Sequence, residues 1–161
     1  MNAIAIFIAQ YLYLFVVAIG IIFFFFQPGK IKKSMAICAG IIAPLAYVIS
    51  RISSLLYYDP RPFVVGHFTP LIAHAADNGF PSDHVLLTGA IAMIVWFYNR
   101  KVSIAPWALA LLIGWARVYV GVHHCTDITG SIVIVIAAGA VYALFANRHK
   151  KIHAKGGIIN R

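Results

Sequence analysis

Apolar residues dominate five long stretches of the chain, which are separated by short polar segments. The stretches are residues 3–26, 34–56, 82–98, 102–120 and 128–146. Each is about 17 to 24 residues long, which suffices for an α-helix to cross the hydrocarbon core of a bilayer. The pattern predicts an all-α, polytopic membrane protein, a helical bundle with about five transmembrane helices.

The composition agrees with lipid as the solvent. Of 161 residues, 62% are hydrophobic and 11% are charged, a balance too apolar for a soluble domain of this size. The length accommodates one bundle, so we predict a single transmembrane domain over residues 1–161 with a basic tail at 146–161. The first stretch lacks a basic leader and a small-residue cleavage pattern, and we expect it to remain as a membrane helix.

The distribution of charge predicts the orientation. The chain has thirteen Lys and Arg against four acidic residues, and ten of the cations follow the first, third and fifth stretches: Lys30, Lys32, Lys33, Arg100, Lys101, Arg148, Lys150, Lys151, Lys155 and Arg161. Alternating helices place these regions on one face, which the positive-inside rule makes cytoplasmic. The N-terminus is then outside the cell membrane. No basic stripe with interleaved aromatic residues is present, so we expect no nucleic-acid partner.

Polar chemistry collects at the opposite face. The connections 57–81 and 121–127, with the helix ends beside them, hold all four Asp and five of the seven His. This one-sided distribution predicts a site on the extracytoplasmic face of the membrane. Cys38 and Cys125 fall near opposite faces, so no disulfide is expected.

Three clusters carry the candidate chemistry. They are Asp59-Pro60-Arg61-Pro62, Pro81-Ser82-Asp83-His84 and Arg117-x5-His123-x3-Asp127. Each lies at a helix end on the same side of the predicted bundle. Neighbouring helix ends can therefore bring the three clusters together.

The first two clusters and Arg117 suit an anion. Ser82 stands at the predicted N-cap of the third helix, where free N–H groups and the helix dipole attract negative charge. The guanidinium groups of Arg61 and Arg117 match phosphate oxygens in two-point hydrogen bonds. Together they predict phosphate binding.

The third cluster suits covalent catalysis. Asp127 follows His123 by four residues, one helical turn, so its carboxylate can orient the imidazole and leave the other ring nitrogen free as a nucleophile. His84 stands on a different helix and can act as a separate proton donor.

These clusters resemble the type 2 phosphatidic acid phosphatase superfamily, whose motifs are Lys-x6-Arg-Pro, Pro-Ser-Gly-His and Ser-Arg-x5-His-x3-Asp. The resemblance covers residues 54–127. It implies a bundle of six or fewer helices and metal-independent hydrolysis without a cofactor. By position it implies His123 as the phosphorylated nucleophile, Asp127 as its orienting acid, His84 as the general acid, and Arg61, Ser82 and Arg117 as phosphate-binding residues.

The chain departs from the family motifs at three positions. Ser54 replaces the Lys, Asp83 replaces the Gly of the second motif, and Ala116 replaces the Ser before Arg117. The Pro-Ser-Asp-His variant is typical of the bacterial undecaprenyl diphosphate phosphatase branch, which implies that Asp83 lies at the substrate phosphate. Arg51 shares a helix face with Ser54 and either supplies the missing charge or lies at a helix interface.

The sequence therefore predicts a membrane enzyme that hydrolyses undecaprenyl diphosphate to undecaprenyl phosphate, with no obligate protein partner. Phosphatidylglycerol phosphate, phosphatidic acid and other polyprenyl phosphates are alternative substrates. A lipid or ion carrier is the non-enzymatic alternative. A further alternative is a metal centre, for which the candidate ligands are His74, Asp77, His84, His123, His124 and Asp127.

Overall fold

The computed structural model describes the backbone of residues 1–156 and the side chains of residues 1–146. The described residues are mostly helical and contain no β-strand. The side chains of the predicted basic tail beyond residue 146 lie outside the described residues.

Six helices follow one another within residues 1–156. They are α1 (Asn2–Phe25), α2 (Gly29–Leu56), α3 (Pro62–Val65), α4 (Asp83–Tyr98), α5 (Arg100–Tyr119) and α6 (Cys125–Gly156). Four of them, α1, α2, α5 and α6 up to Ala146, are long and apolar enough to cross a membrane, and α4 is a shorter apolar helix. The predicted all-α membrane bundle is confirmed.

Helices α2, α5 and α6 begin two to five residues earlier than the hydrophobic pattern predicts. Helix α2 starts at Gly29 and α5 at Arg100, so the cations after the first and third stretches lie at the beginnings of these helices. The Asn99 side chain accepts hydrogen bonds from the backbone N–H groups of Lys101 and Val102, which fixes the start of α5. A polar first turn escapes an apolar window because capping, rather than burial, stabilises it.

Helix α4 lies at the centre of the bundle and packs against α1, α2, α5 and α6. Small residues allow close contacts among α4, α5 and α6. A Cβ at Gly89 would lie 3.3 Å from Val135 of α6, and one at Gly114 of α5 would lie 2.6 Å from Ile128. These approaches bring the site-bearing ends of α4, α5 and α6 together.

Large apolar side chains cover the bundle surface. Phe7, Phe15, Leu111 and Trp115 are each about half exposed, and Leu144 more so. In water such a surface would aggregate, whereas lipid chains solvate it. The protein is therefore a multi-pass membrane protein.

The polar connection between α2 and α4, residues 57–82, folds over one end of the bundle, called here the site end. It contains the short helix α3, which begins with Pro62 at its first position. The sequence pattern did not predict α3. The connection also forms an isolated antiparallel bridge between Pro60 and Asn78, which brings its two halves together.

Candidate active site

A polar cavity of about 180 Å³ lies at the site end. It is enclosed by the ends of α2, α4 and α5 and by the connection 57–82. The lining residues are Ser50, Arg51, Ser54, Arg61, His74, Asp77, Asn78, Phe80, Pro81, Asp83, His84, Arg117 and His123. The three sequence clusters therefore meet in one volume, as their positions at helix ends predicted.

His123 and Asp127 form a buried pair at this cavity. The Nδ1 atom of His123 lies 3.0 Å from Oδ2 of Asp127, and the same oxygen accepts a hydrogen bond from the backbone N–H of His124 at 2.9 Å. A carboxylate can only accept, so Nδ1 of a neutral His123 carries the proton. The Nε2 lone pair is then directed away from Asp127.

Two guanidinium groups lie beside that lone pair. Nη1 of Arg61 is 3.4 Å and Nη2 of Arg117 is 3.3 Å from Nε2 of His123. All three side chains are almost completely buried. An anion bound by both arginines would therefore lie directly against the free ring nitrogen.

The surroundings keep His123 neutral. Burial lowers the pKa of its ring, and the charges of Arg117 and Arg61 lower it further, against the opposing hydrogen bond and charge of Asp127. The net effect is a pKa of His123 below its ordinary value. A neutral imidazole retains the lone pair that a nucleophile requires.

The connection 57–82 and its neighbours hold Arg61 in place. Nε of Arg61 donates to Oδ1 of Asp77 at 2.7 Å, and Nη1 donates to the carbonyl oxygen of Val122 at 2.8 Å. Burial by itself raises the pKa of Asp77, but the hydrogen bond and charge of Arg61 outweigh it, and the pKa lies below its ordinary value.

Arg117 is held from two sides. Its Nη2 lies 3.1 Å from Nε2 of His74, and Nη1 donates to the carbonyl oxygen of Ala9 in α1 at 3.5 Å. Burial lowers the pKa of His74, and the nearby charges of Arg61 and Arg117 add to this shift. A neutral His74 can accept the hydrogen bond from Arg117.

Several buried polar atoms at the site lack a hydrogen-bond partner. Among the described side chains these atoms are Nδ1 of His74, Oγ of Ser82, Nε of Arg117 and Oδ1 of Asp127. Buried polar groups without partners are costly and uncommon in folded proteins. Their concentration in one place indicates a site built for a polar ligand.

Ser82 occupies the N-cap position of α4, as predicted, but its side chain makes no capping hydrogen bond. The residue is fully buried, and its carbonyl oxygen accepts a hydrogen bond from Oγ of Ser131 at 3.0 Å. The positive end of α4 is thus next to the cavity without a side-chain acceptor on its N–H groups, a geometry that favours anions.

His84 lines the cavity from the first turn of α4. Its ring packs edge to face on Tyr13 of α1, with ring centroids 4.9 Å apart. This contact orients the imidazole toward the volume that His123 also lines.

Arg51 and Asp83 form the exposed rim of the cavity. The guanidinium carbon of Arg51 lies 5.0 Å from the ring centroid of Tyr47 on the preceding helical turn. The sequence left open whether Arg51 supplies charge to the site or lies at a helix interface, and the structure places Arg51 at the cavity rim. Ser54 lies on the same wall, and both its carbonyl oxygen and Oγ accept hydrogen bonds from Nδ2 of Asn78.

Sequence reasoning missed the contributions of His74, Asp77 and Asn78 to this geometry. The sequence indicates His74 and Asp77 only as candidate metal ligands and predicts no role for Asn78. Their clustering in a polar connection was visible in the sequence. The arginine partners were not, because Arg61 lies 16 residues from Asp77 and Arg117 lies 43 residues from His74 along the chain.

The six candidate metal ligands do not gather around one point. Nε2 of His124 points to the carbonyl oxygen of Pro60 at 3.2 Å and lies 3.8 Å from Asp59. Within the described residues, no three His, Cys, Asp or Glu side chains are grouped to hold a metal ion.

Together, the fold and the site define a helical membrane protein with a polar cavity in which two arginines flank a histidine. The sequence model of the PAP2 superfamily matches residues 35–151, and the chain belongs to this superfamily. It is a membrane lipid phosphatase of that superfamily.

Known proteins match most of the chain. The undecaprenyl-diphosphatase BcrC of Bacillus subtilis (strain 168) is 34% identical over 147 residues, covering 91% of this chain and 76% of that protein. The bacitracin transport permease protein BcrC of Bacillus licheniformis is 28% identical, with 90% and 70% covered. The crystal structure of Aquifex aeolicus LpxE has the same fold, with a TM-score of 0.71 at 22% identity over 88% of this chain and 86% of that one.

Proposed function

We propose that this lipid phosphatase hydrolyses undecaprenyl diphosphate to undecaprenyl phosphate through a phosphohistidine intermediate. The observation that carries the mechanism is the placement of Nε2 of His123 between Arg61 and Arg117, at 3.4 and 3.3 Å. The similarity to a B. subtilis undecaprenyl-diphosphatase supports the substrate.

The terminal phosphate binds in the polar cavity. The two guanidinium groups and the N-terminal end of α4 at Ser82 neutralise charge on its oxygens, and this stabilisation is greatest in the transition state. The unpaired Nε of Arg117 and Oγ of Ser82 are donors available to those oxygens. Arg51 and Asp83, which line the cavity rim, are proposed to contact the second phosphate of a diphosphate lipid.

In the first step the lone pair on Nε2 of His123 attacks phosphorus. An N–P bond forms, and the bond from phosphorus to the bridging oxygen of the lipid monophosphate breaks. His84 donates a proton to that oxygen. Asp127 stabilises the positive charge that develops on the imidazole ring.

In the second step a water molecule enters the position vacated by the lipid monophosphate and attacks phosphorus. The neutral His84 accepts a proton from the water, the new P–O bond forms, the N–P bond breaks, and inorganic phosphate leaves with His123 restored. We propose that no metal takes part, because two buried guanidinium groups and the end of α4 supply the positive charge that phosphoryl transfer requires.

We further propose that the site end faces the extracytoplasmic side. The cations at the opposite ends of α2 and α5 support this orientation by the positive-inside rule. The lipid carrier would then be dephosphorylated where its diphosphate form is released by envelope synthesis.

A trapping experiment tests the mechanism. Undecaprenyl diphosphate labelled with ³²P at the terminal phosphate is mixed with detergent-purified protein and quenched within one turnover. Wild type should carry acid-labile label, His123→Ala should carry none, and His84→Ala should form and lose the label slowly. The matched control is His124→Ala, whose ring points to Pro60 and away from the cavity. Equal losses at His123 and His124 would contradict the assignment.

Assays on the same purified protein distinguish two alternatives, a different lipid substrate and a carrier function. Faster phosphate release from phosphatidylglycerol phosphate or phosphatidic acid than from undecaprenyl diphosphate would reassign the substrate within the lipid phosphatase class. The name of the B. licheniformis relative favours testing transport as well. Transport that persists in His123→Ala would support a carrier, whereas an enzyme loses turnover.

A further inference from the structure

The segment His74–Asn78 contacts both phosphate-binding arginines, although none of its residues belongs to the three sequence clusters. We propose that this segment is a positioning element: Asp77 orients Arg61, His74 orients Arg117, and Asn78 anchors the segment to helix α2. The inference rests on the proposed function and extends it to residues that set the geometry of the phosphate site.

Asp77 fixes the rotation of the Arg61 guanidinium. The 2.7 Å hydrogen bond from Nε to Asp77, the 2.8 Å bond from Nη1 to the carbonyl of Val122 and a 3.5 Å contact from Nη2 to the carbonyl of Asn78 occupy three sides of the group. The planar fork can then present Nη1 toward His123 in one orientation only.

His74 does the same for Arg117. Its Nε2 accepts from Nη2 of Arg117 at 3.1 Å, and the His74 and His123 ring centroids lie 6.3 Å apart. The groups facing His74 are Arg61, Arg117, His123 and, across the same segment, Asp77. Two cations in this set favour the neutral ring, which is the form that accepts a hydrogen bond.

Asn78 attaches the segment to α2. Its Nδ2 donates to the carbonyl oxygens of Ser54 and Tyr57 at 3.0 Å each and lies 3.1 Å from Oγ of Ser54. Its Oδ1 accepts from the backbone N–H groups of Asp59 and Phe80, both at 3.0 Å. One amide thus ties together the end of α2, the stretch before Arg61 and the stretch before α4.

This anchor also gives Ser54 a role. The family motif places a Lys at this position, whereas here the Ser54 side chain and carbonyl receive the Asn78 amide. The position therefore secures the segment that orients the arginines, and does not itself carry charge to the phosphate.

Double-mutant cycles test the proposal. Asp77→Ala should lower kcat/KM about tenfold, the scale of one hydrogen bond to a charged group. In an Arg61→Lys background, which lacks the Nε donor, the same change should cost about twofold or less. His74→Ala should be coupled to Arg117→Lys in the same way, and the crossed pairs, Asp77 with Arg117 and His74 with Arg61, should be closer to additive.

Conservative variants separate positioning from other roles. Asp77→Asn and His74→Gln keep an acceptor for the respective arginine and should retain most of the activity that the Ala variants lose. The matched control is His67→Asn in the same connection: His67 is exposed and has a φ of 50°, which Asn tolerates. This control should behave as wild type.

Binding of inorganic phosphate, followed by ligand-induced thermal stabilisation, provides a readout that needs no turnover. The Kd should rise about tenfold in the two Ala variants and show the same coupling. If the wild type binds phosphate with the expected coupling but does not turn over undecaprenyl diphosphate, the result contradicts the proposed function and leaves the positioning role intact. Additive losses in both readouts, or Asn and Gln variants as impaired as Ala, would overturn the positioning role.

Discussion

Replacing Asp127 by Asn tests how the buried His–Asp pair works. Oδ2 of Asp127 accepts two hydrogen bonds, from Nδ1 of His123 at 3.0 Å and from the backbone N–H of His124 at 2.9 Å. The backbone N–H of His124 can only donate a hydrogen bond. An Asn amide turned with its NH2 group at this place would face that N–H, donor against donor, so the amide oxygen should occupy the Oδ2 position.

This geometry sets the expected magnitude. With the oxygen in place, Nδ1 of His123 keeps its proton and Nε2 keeps its lone pair, so the nucleophilic tautomer survives. What is lost is the negative charge that stabilises the imidazolium-like ring formed on attack. A hydrogen bond to a charged partner contributes about 1.5 to 3 kcal/mol, so kcat should fall about 10- to 150-fold. Inversion of the tautomer would instead cost about 10⁴-fold, the scale seen for the equivalent change in serine protease triads.

The assay is single-turnover release of ³²P-phosphate from undecaprenyl diphosphate, with Asp127→Ala and His123→Ala in parallel. Asp127→Ala removes the acceptor from both donors and should fall well below Asp127→Asn. A loss of about 10⁴-fold in Asp127→Asn, or equal losses in the Asn and Ala variants, would refute the argument that the His124 N–H selects the amide orientation.

Three further predictions follow from the site and the topology. The folded-state pKa values of His74 and His123 are lowered, so the unfolded chain binds more protons between the lowered values and the ordinary 6.5; the melting temperature should fall as the pH drops through that window and fall less in His74→Gln, and a flat profile would contradict this. Cys125 is exposed at the site end and the other cysteine is buried, so a membrane-impermeant maleimide added to intact cells should label wild type and not Cys125→Ser; labelling only after lysis would reverse the orientation. Arg51→Gln should lower kcat/KM for the diphosphate about fivefold, a modest loss because the charge of Arg51 is exposed and screened. Arg51→Lys should restore part of this loss, and the effect on a lipid monophosphate should be smaller. Equal effects on both substrates would make Arg51 a general phosphate ligand.

The sequence determined the membrane bundle. Hydrophobic runs long enough to span a bilayer have few alternatives, since backbone groups in lipid must pair within a helix. It also located the clusters around Arg61, Ser82 and His123, because helix ends on one side of a bundle are neighbours whatever the details of packing. The spacing of His123 and Asp127 by one helical turn required no tertiary information at all.

The helix boundaries and the short helix α3 were decided by local chemistry that a hydrophobic window does not detect. The first turn of α5 is stabilised by Asn99, and α3 begins at Pro62. Such turns are polar, and they form because caps and a fixed φ satisfy the backbone, without any apolar run to mark them.

Only the tertiary structure decided how the arginines are held. Arg61 meets Asp77 across 16 residues, and Arg117 meets His74 across 43 and Ala9 across 108. Contacts of this kind depend on how a polar connection folds over the bundle, and no periodicity records that path. The sequence specifies which groups can bind phosphate, whereas the close packing of α4 against its neighbours and the Asn78 anchor determine where those groups point.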